Sequence, residues 1–164
     1  MPILISDTSK SWPKPPEGVY QAVCCDVVEL GLEKVTYQNG PEKMVPKIRL
    51  YFQLDEMEPD GKRRYIVAKK FTRSLAEKSS LRTFIQSWAG RLLTKDQLVN
   101  FDVEKLIGKN CQLQIVHILG RNGETYAQIQ TIMPIRGTQG IAVTDYVRKQ
   151  DRDKPEPPRE EVPF

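Results

Sequence analysis

A strict two-residue alternation in the segment Lys43–Arg73 constrains the fold most. Alternate side chains of a strand point to opposite faces of a sheet. Four apolar residues of this segment alternate with four polar or amphipathic ones: Ile48, Leu50, Phe52 and Leu54 with Lys47, Arg49, Tyr51 and Gln53. A turn at residues 58–61 and a second basic run follow, so the segment predicts a β-hairpin with one apolar face and one cationic, aromatic face.

The polar face of this hairpin supplies most of the candidate binding residues. A basic surface with interspersed aromatic rings suits the phosphates and exposed bases of a single-stranded nucleic acid. The candidates on the hairpin are Lys43, Lys47, Arg49, Tyr51, Arg63, Arg64, Tyr65, Lys69, Lys70, Phe71 and Arg73. An ordinary solvated strand face is the alternative, because Lys and Arg are common on surfaces. Tyr65 shares its parity with Val67 and Phe71, so it also suits a core position.

The rest of the chain predicts three more strands and a helical segment. Residues 17–31 predict a first strand, ended by Gly31, that bends or serves two sheets, because its apolar residues fall in both parities. Helical spacing after residue 74 predicts a helix that opens with a capping box at Ser74 and stops at Gly90, with Trp88 in the core. Thr94 and Asp102 predict two further helix caps, and residues 109–119 and 125–133 predict the last two strands.

The order strand, strand, strand, helices, strand, strand predicts a mainly β fold. It is the order of a five-stranded, Greek-key oligonucleotide/oligosaccharide-binding (OB) barrel with a helical insertion between strands 3 and 4. Another small antiparallel α+β sheet is the alternative. The predicted organisation is an extended arm over residues 1–16, the barrel over 17–136, and a disordered, charged and Pro-rich tail over 137–164. Such barrels bind over strands 2 and 3 and the neighbouring loops, which adds the candidates Arg121, Tyr126 and Gln128.

Composition permits a polyanion partner and offers little for catalysis. The 164 residues carry 25 Lys and Arg against 21 Asp and Glu, a net charge of +4. Three cysteines and one histidine form neither a disulfide framework nor a zinc motif, and there is no Gly-rich phosphate loop. We therefore expect a protein that is not an enzyme and that needs no metal or cofactor. Without a signal peptide or a long apolar run, we expect a cytoplasmic protein with no membrane partner.

Two groups of motifs resemble single-stranded DNA-binding proteins. The final residues Glu160, Glu161, Val162, Pro163 and Phe164 resemble the terminal tip of the bacterial proteins. Over roughly residues 15–135 the body resembles phage-encoded members, at Pro15–Ala22, Phe71–Leu75, Glu77–Arg82, Trp88–Arg91 and Phe101–Lys109. The chain departs from the bacterial proteins in its nearly neutral tail and in its longer insertion between strands 3 and 4. The tetramer geometry of the common bacterial protein is therefore not carried over to this chain.

The resemblance implies a function and a set of partners. It implies a non-catalytic protein that binds single-stranded DNA during phage DNA replication, recombination or repair in the bacterial cytoplasm. It also implies that the tip Glu160–Phe164 docks replication and recombination enzymes. A homo-oligomer is possible. The alternatives are a protein-interaction module and an RNA-binding protein that uses the same face.

Overall fold

A computed structural model describes residues 14–36, 40–120, 123–135 and 139–152, apart from the side chains of residues 36 and 152. Five strands form one antiparallel sheet in the order β3-β2-β1-β4-β5. Their bounds are β1 Gly18–Thr36, β2 Glu42–Met57, β3 Arg64–Thr72, β4 Asn110–Leu119 and β5 Thr125–Met133. The prediction of a mainly β, five-stranded fold is confirmed. Among the described residues no backbone ladder joins β3 to β5, so the ladders form an open series.

A small helical insertion lies between β3 and β4, as predicted. It comprises α1 (Ser80–Ala89), α2 (Lys95–Val99) and a 3-10 helix (Val103–Leu106), and a further short helix, α3 (Lys149–Arg152), follows the sheet. Among the described residues no helix has the length and apolar character that crossing a bilayer requires.

The first strand is long and bent. Register shifts at Cys25 and Leu30 interrupt its ladder with β2, and its first six residues also pair with β4. Extra residues of this kind bend a strand and increase its twist. The prediction that this strand bends is therefore confirmed, but its predicted end at Gly31 is wrong. Gly31 adopts a φ of 78°, which glycine tolerates, and the pairing with β2 continues to Thr36.

The core lies between one face of the sheet and helix α1. Phe52 of β2 packs against two rings of α1, with centroid distances of 6.1 Å to Phe84 and 5.4 Å to Trp88. The Trp88 indole N–H donates to the backbone oxygen of Asn110 at 2.8 Å. The prediction that Trp88 belongs to the core is confirmed.

The predicted helix caps are confirmed at three positions and wrong at one. Helix α1 is capped by Ser79, whose hydroxyl accepts from the Arg82 N–H, and not by Ser74. The Ser74 hydroxyl instead accepts from the Ala76 N–H in the turn before the helix. Gly90 ends α1, Thr94 forms a complete capping box, and Asp102 caps the 3-10 helix, as expected.

Candidate nucleic-acid interface

The face of the sheet opposite the core, here called the outer face, carries the polar half of the predicted alternation. Residues directly opposite one another in an antiparallel ladder share a face. The outward residues of β2 therefore form cross-strand pairs with residues of β3. These pairs are Lys47 with Thr72, Arg49 with Lys70, Tyr51 with Ala68 and Gln53 with Ile66. Ile48, Leu50, Phe52 and Leu54 are buried in the core beneath them.

Three cations lie together on one half of the outer face, and we call Lys47, Arg49 and Lys70 the cationic row. The Lys47 ammonium donates to the Thr72 hydroxyl at 2.9 Å, and Lys70 pairs with Glu33 at 2.9 Å. The Arg49 guanidinium has no hydrogen-bond or ion-pair partner among the residues that the structure describes. A surface ion pair such as Lys70–Glu33 is worth about 0–1 kcal/mol, so a phosphate can replace the carboxylate at little cost.

The other half of the outer face is covered by the extended segment Gln139–Lys149, here called the strap. The Asn110 side-chain amide donates to the Ile141 oxygen at 3.0 Å and accepts from the Ile141 N–H at 2.8 Å. Gln53 makes the same two-way contact with the backbone of Thr144. Since Gln53 and Asn110 both pair with Val23, the strap crosses the sheet from β4 over β1 to β2.

A buried carboxylate fixes the far end of the strap. Asp26 is fully buried on β1. Its Oδ1 accepts from the Val27 N–H and from Arg148 Nε, while its Oδ2 accepts from the Tyr146 hydroxyl and the Lys149 N–H, all within 2.8–3.0 Å. These four donors satisfy both oxygens, which a buried charge requires.

Arg148 links this anchor to the helical insertion. Its guanidinium also donates to the Val27 oxygen at 3.2 Å and to Glu104 at 2.8 Å. Partial burial works against the charge of Arg148, but the hydrogen bonds to Glu104 and Asp26 outweigh it and raise the pKa of the guanidinium. The strap is therefore held to three parts of the molecule, namely β1, β2 with β4, and the insertion.

The predicted stacking residue Tyr51 lies near the strap and is almost buried. Tyr51 lies on β2 beside Gln53 and opposite Asp26 on β1, so it lies between two of the strap anchors. Only 8% of its surface is exposed although it is on the outer face. Arg64, another predicted contact, donates to the strap oxygen of Ala142 at 2.8 Å.

Three other candidates lie away from the outer face. Tyr65 and Phe71 are 6% and 2% exposed and belong to the core, as the parity of Tyr65 suggested. The Lys69 ammonium lies 3.4 Å from the Ile129 oxygen of β5 and 5.9 Å from the centre of the Phe71 ring. Their side chains therefore offer no surface to a ligand on the outer face in this conformation.

The remaining candidates are dispersed. Lys43, Arg63 and Arg73 are exposed at the ends of the hairpin strands, where Arg63 lies 3.8 Å from Glu58 and Arg73 lies 2.8 Å from Glu29. Tyr126, 49% exposed, and Gln128 lie on β5, three strands away from β2 in the sheet order. Arg121 and the tip Glu160–Phe164 lie outside the described residues.

Sequence reasoning missed the strap residues and their anchors. The one signal was Asp26, a lone acid in an otherwise apolar stretch of β1 that calls for a partner. Asn110, Gln53 and the strap itself carry no pattern that distinguishes them from ordinary polar residues. Of the predicted tail 137–164, residues 139–152 pack on the sheet, so this part belongs to the domain structurally.

Histidine and cysteine occupy structural positions. The His117 N–H donates to Glu17 at 2.8 Å, and its Nε2 lies 2.8 Å from the Pro15 oxygen, so the residue ties the start of β1 to β4. The three cysteines are buried and form no disulfide with one another. In the described part of the chain no three His, Cys, Asp or Glu side chains are grouped so as to hold a metal ion.

Compared with known proteins, the chain matches no family model, no curated protein and no solved structure.

Proposed function

We propose that the protein binds single-stranded DNA with little sequence preference, through the outer face of β2 and β3 and without catalysing a reaction. The observation that supports this best is the cationic row, in which Arg49 has no partner among the described residues and lies between two lysines. Five guanidinium N–H donors suit bidentate contact with phosphate. The three side chains of the cationic row suit phosphates and do not distinguish one base from another, so binding should depend on charge more than on sequence.

The arrangement of strands supports an OB barrel as the fold. The bent strand β1 pairs with both β2 and β4, which is how one strand of such a barrel serves both halves of its wall. Lys69 of β3 reaches the backbone of β5, so the two outermost strands of the series are neighbours. In this fold the ligand lies over strands 2 and 3, where the cationic row is found.

We also propose a role in phage DNA replication, recombination or repair, carried out in the bacterial cytoplasm, in which the tip Glu160–Phe164 recruits partner enzymes. A C-terminal Phe ring suits an apolar pocket, and its carboxylate and the two acids suit basic residues around that pocket. The support for this role is the resemblance of the final residues and of the body to single-stranded DNA-binding proteins.

Titration of labelled oligo-dT with the full chain tests the binding surface. We expect Arg49→Gln and Lys70→Gln each to weaken binding and to reduce the slope of log affinity against log salt by about 0.7, the value for one phosphate contact on a single strand. Lys95→Gln is the matched control, because it removes the same charge from an exposed site on α2. An equal loss from Lys95→Gln would contradict a localised row, and no binding by the wild type would refute the proposal.

Two further ligands separate the alternatives in the same assay. Oligo-U bound as tightly as oligo-dT favours an RNA-binding protein, and tighter binding of duplex DNA contradicts single-strand binding. Failure to bind any of the three leaves the protein-interaction module as the better explanation.

Removal of Val162–Phe164 tests whether the tip binds partner enzymes and takes no part in DNA binding. We expect the shortened chain to bind oligo-dT with unchanged affinity and to lose capture of replication and repair enzymes from a bacterial extract. A large loss of DNA affinity would refute a tip that serves partners alone.

A further inference from the structure

Residues 139–144 of the strap are held by side-chain amides and by Arg64, all of which contact only its main chain. Gln53 and Asn110 each present one acceptor and one donor, and each meets the N–H and C=O of a single strap residue. The edge of a base also presents a donor and an acceptor side by side, and Asn and Gln pair with adenine in this two-way manner. The groups that now hold the strap are therefore equally suited to a nucleobase.

One of these amides, Gln53, lies on the same strand as the proposed phosphate contact Arg49. Gln53 is the second outward residue beyond Arg49 on β2, and Tyr51 lies between them. Outward residues on a strand are about 6.8 Å apart, so Tyr51 lies about 6.8 Å and Gln53 about 13.6 Å from Arg49 along β2. A single strand with one phosphate at Arg49 would therefore bring the bases of its next nucleotides within reach of both side chains. The strap is what occupies that position in this structure.

The strap is also weakly buried. Every side chain of Gln139–Lys149 is described, and none is buried, while Val147 is 59% exposed. A segment held by hydrogen bonds and by little apolar burial opens more easily than core strands. Asp145, with a left-handed φ of 48°, separates the part held by amides, residues 139–144, from the part held by Asp26.

We propose that residues 139–144 of the strap are displaced by nucleic acid, and that Gln53 and Asn110, with Tyr51 beside them, form a base-binding subsite beneath. The inference rests on the proposed function and deepens it. The end of the strap at Asp26 stays anchored, because Tyr146, Arg148 and the Lys149 N–H satisfy a buried carboxylate. The free protein thus shows the phosphate-binding half of the surface and covers the half that contacts bases.

Hydrogen exchange on the full chain tests displacement directly. In the free protein the Ile141 and Thr144 N–H groups are bound to Asn110 and Gln53, so we expect protection. Saturating oligo-dA should accelerate their exchange at least tenfold, while the Lys149 N–H at Asp26 stays protected. Unchanged or increased protection in the bound state overturns displacement and leaves the proposed function intact. If only oligo-dT binds, this inference fails and single-strand binding stands, whereas the absence of binding to either oligonucleotide refutes both.

Two substitutions remove the contact between Gln53 and Thr144, one from the strap and one from the sheet. Thr144→Pro removes the N–H that Gln53 accepts, so the strap competes less and affinity for oligo-dA should rise about three- to tenfold. Ala142→Pro is the matched control, since the Ala142 N–H donates to no described residue. Gln53→Met also frees the strap but removes the base contact, so we expect no such rise. Weaker binding by Thr144→Pro overturns competition, and an equal rise with Gln53→Met overturns the base contact.

Discussion

At the scale of single residues, a buried polar group explains most about how the strap is held to β1. Asp26 could be recognised in the sequence as an acid within an apolar strand, but its partners could not be. They lie at Tyr146, Arg148 and Lys149, about 120 positions later, in a stretch whose composition resembles a tail. A long-range ion pair leaves no periodicity in either segment, so only the folded structure identifies it.

The buried thiols belong to the same scale and give a pH dependence. Burial raises the pKa of Cys24 from 9.0 to about 12, and burial together with the neighbouring Cys24 raises the pKa of Cys111. In the unfolded chain these thiols ionise near pH 9, whereas in the folded chain they remain protonated. The contribution of these protonated thiols to the stability of the fold is therefore complete below pH 9. It is lost as the pH rises from 9 toward the pKa values that the thiols have in the folded chain.

We expect the free energy of unfolding to fall above pH 9 by about 1.4 kcal/mol per pH unit for each thiol. Urea denaturation at intervals between pH 8 and 10 measures this slope. Cys24→Ala should reduce the slope by the share of one thiol, with the other titrating groups common to both proteins. An identical slope in the variant would show that Cys24 does not contribute.

At the scale of elements, the alternation of β2 was the most informative part of the sequence. A period of two assigns each side chain to a face without knowledge of the partner strand, so the buried set Ile48, Leu50, Phe52 and Leu54 was predictable. The start of α1 was less predictable from the sequence. Ser74 with Glu77 fits a capping box, whereas Ser79 with Arg82 lacks the reciprocal acceptor, yet packing of the helix on Phe52 and Phe71 favours the later start.

The two serines at the start of α1 allow a direct comparison. Ser79→Ala removes the hydroxyl that accepts the Arg82 N–H, so we expect a loss of about 1 kcal/mol in the free energy of unfolding. Ser80→Ala, one residue later on an exposed position, is the matched control and should change it by less than about 0.5 kcal/mol. Urea denaturation of both variants checks the difference, and a larger loss from Ser80→Ala would place the cap elsewhere.

At the scale of the whole molecule, the sequence predicted five strands and an insertion but not the relation between the sheet and the segment that follows it. Gln53 and Asn110 contact the strap through its backbone, so residues 139–144 carry no sequence pattern that complements these two side chains. For the same reason the predicted contact residues were only partly brought together. The cationic row follows from the alternation, whereas the low exposure of Tyr51 on the outer face does not.

Two truncations decide where the folded unit ends. Removal of residues 139–164 takes away three of the four donors to the buried Asp26 carboxylate, so we expect a loss of about 2–5 kcal/mol in the free energy of unfolding. Removal of residues 153–164 alone, whose charged and Pro-rich composition predicts no core, should leave it unchanged within about 0.5 kcal/mol. Urea denaturation measures both, and Tyr146→Phe, which deletes one hydroxyl donor, should cost about 0.5–1.5 kcal/mol if the longer truncation does not fold. Equal stability of the two truncated chains, together with an unaffected Tyr146→Phe variant, would mean that the folded unit ends before residue 139 and that the strap contributes nothing to its stability.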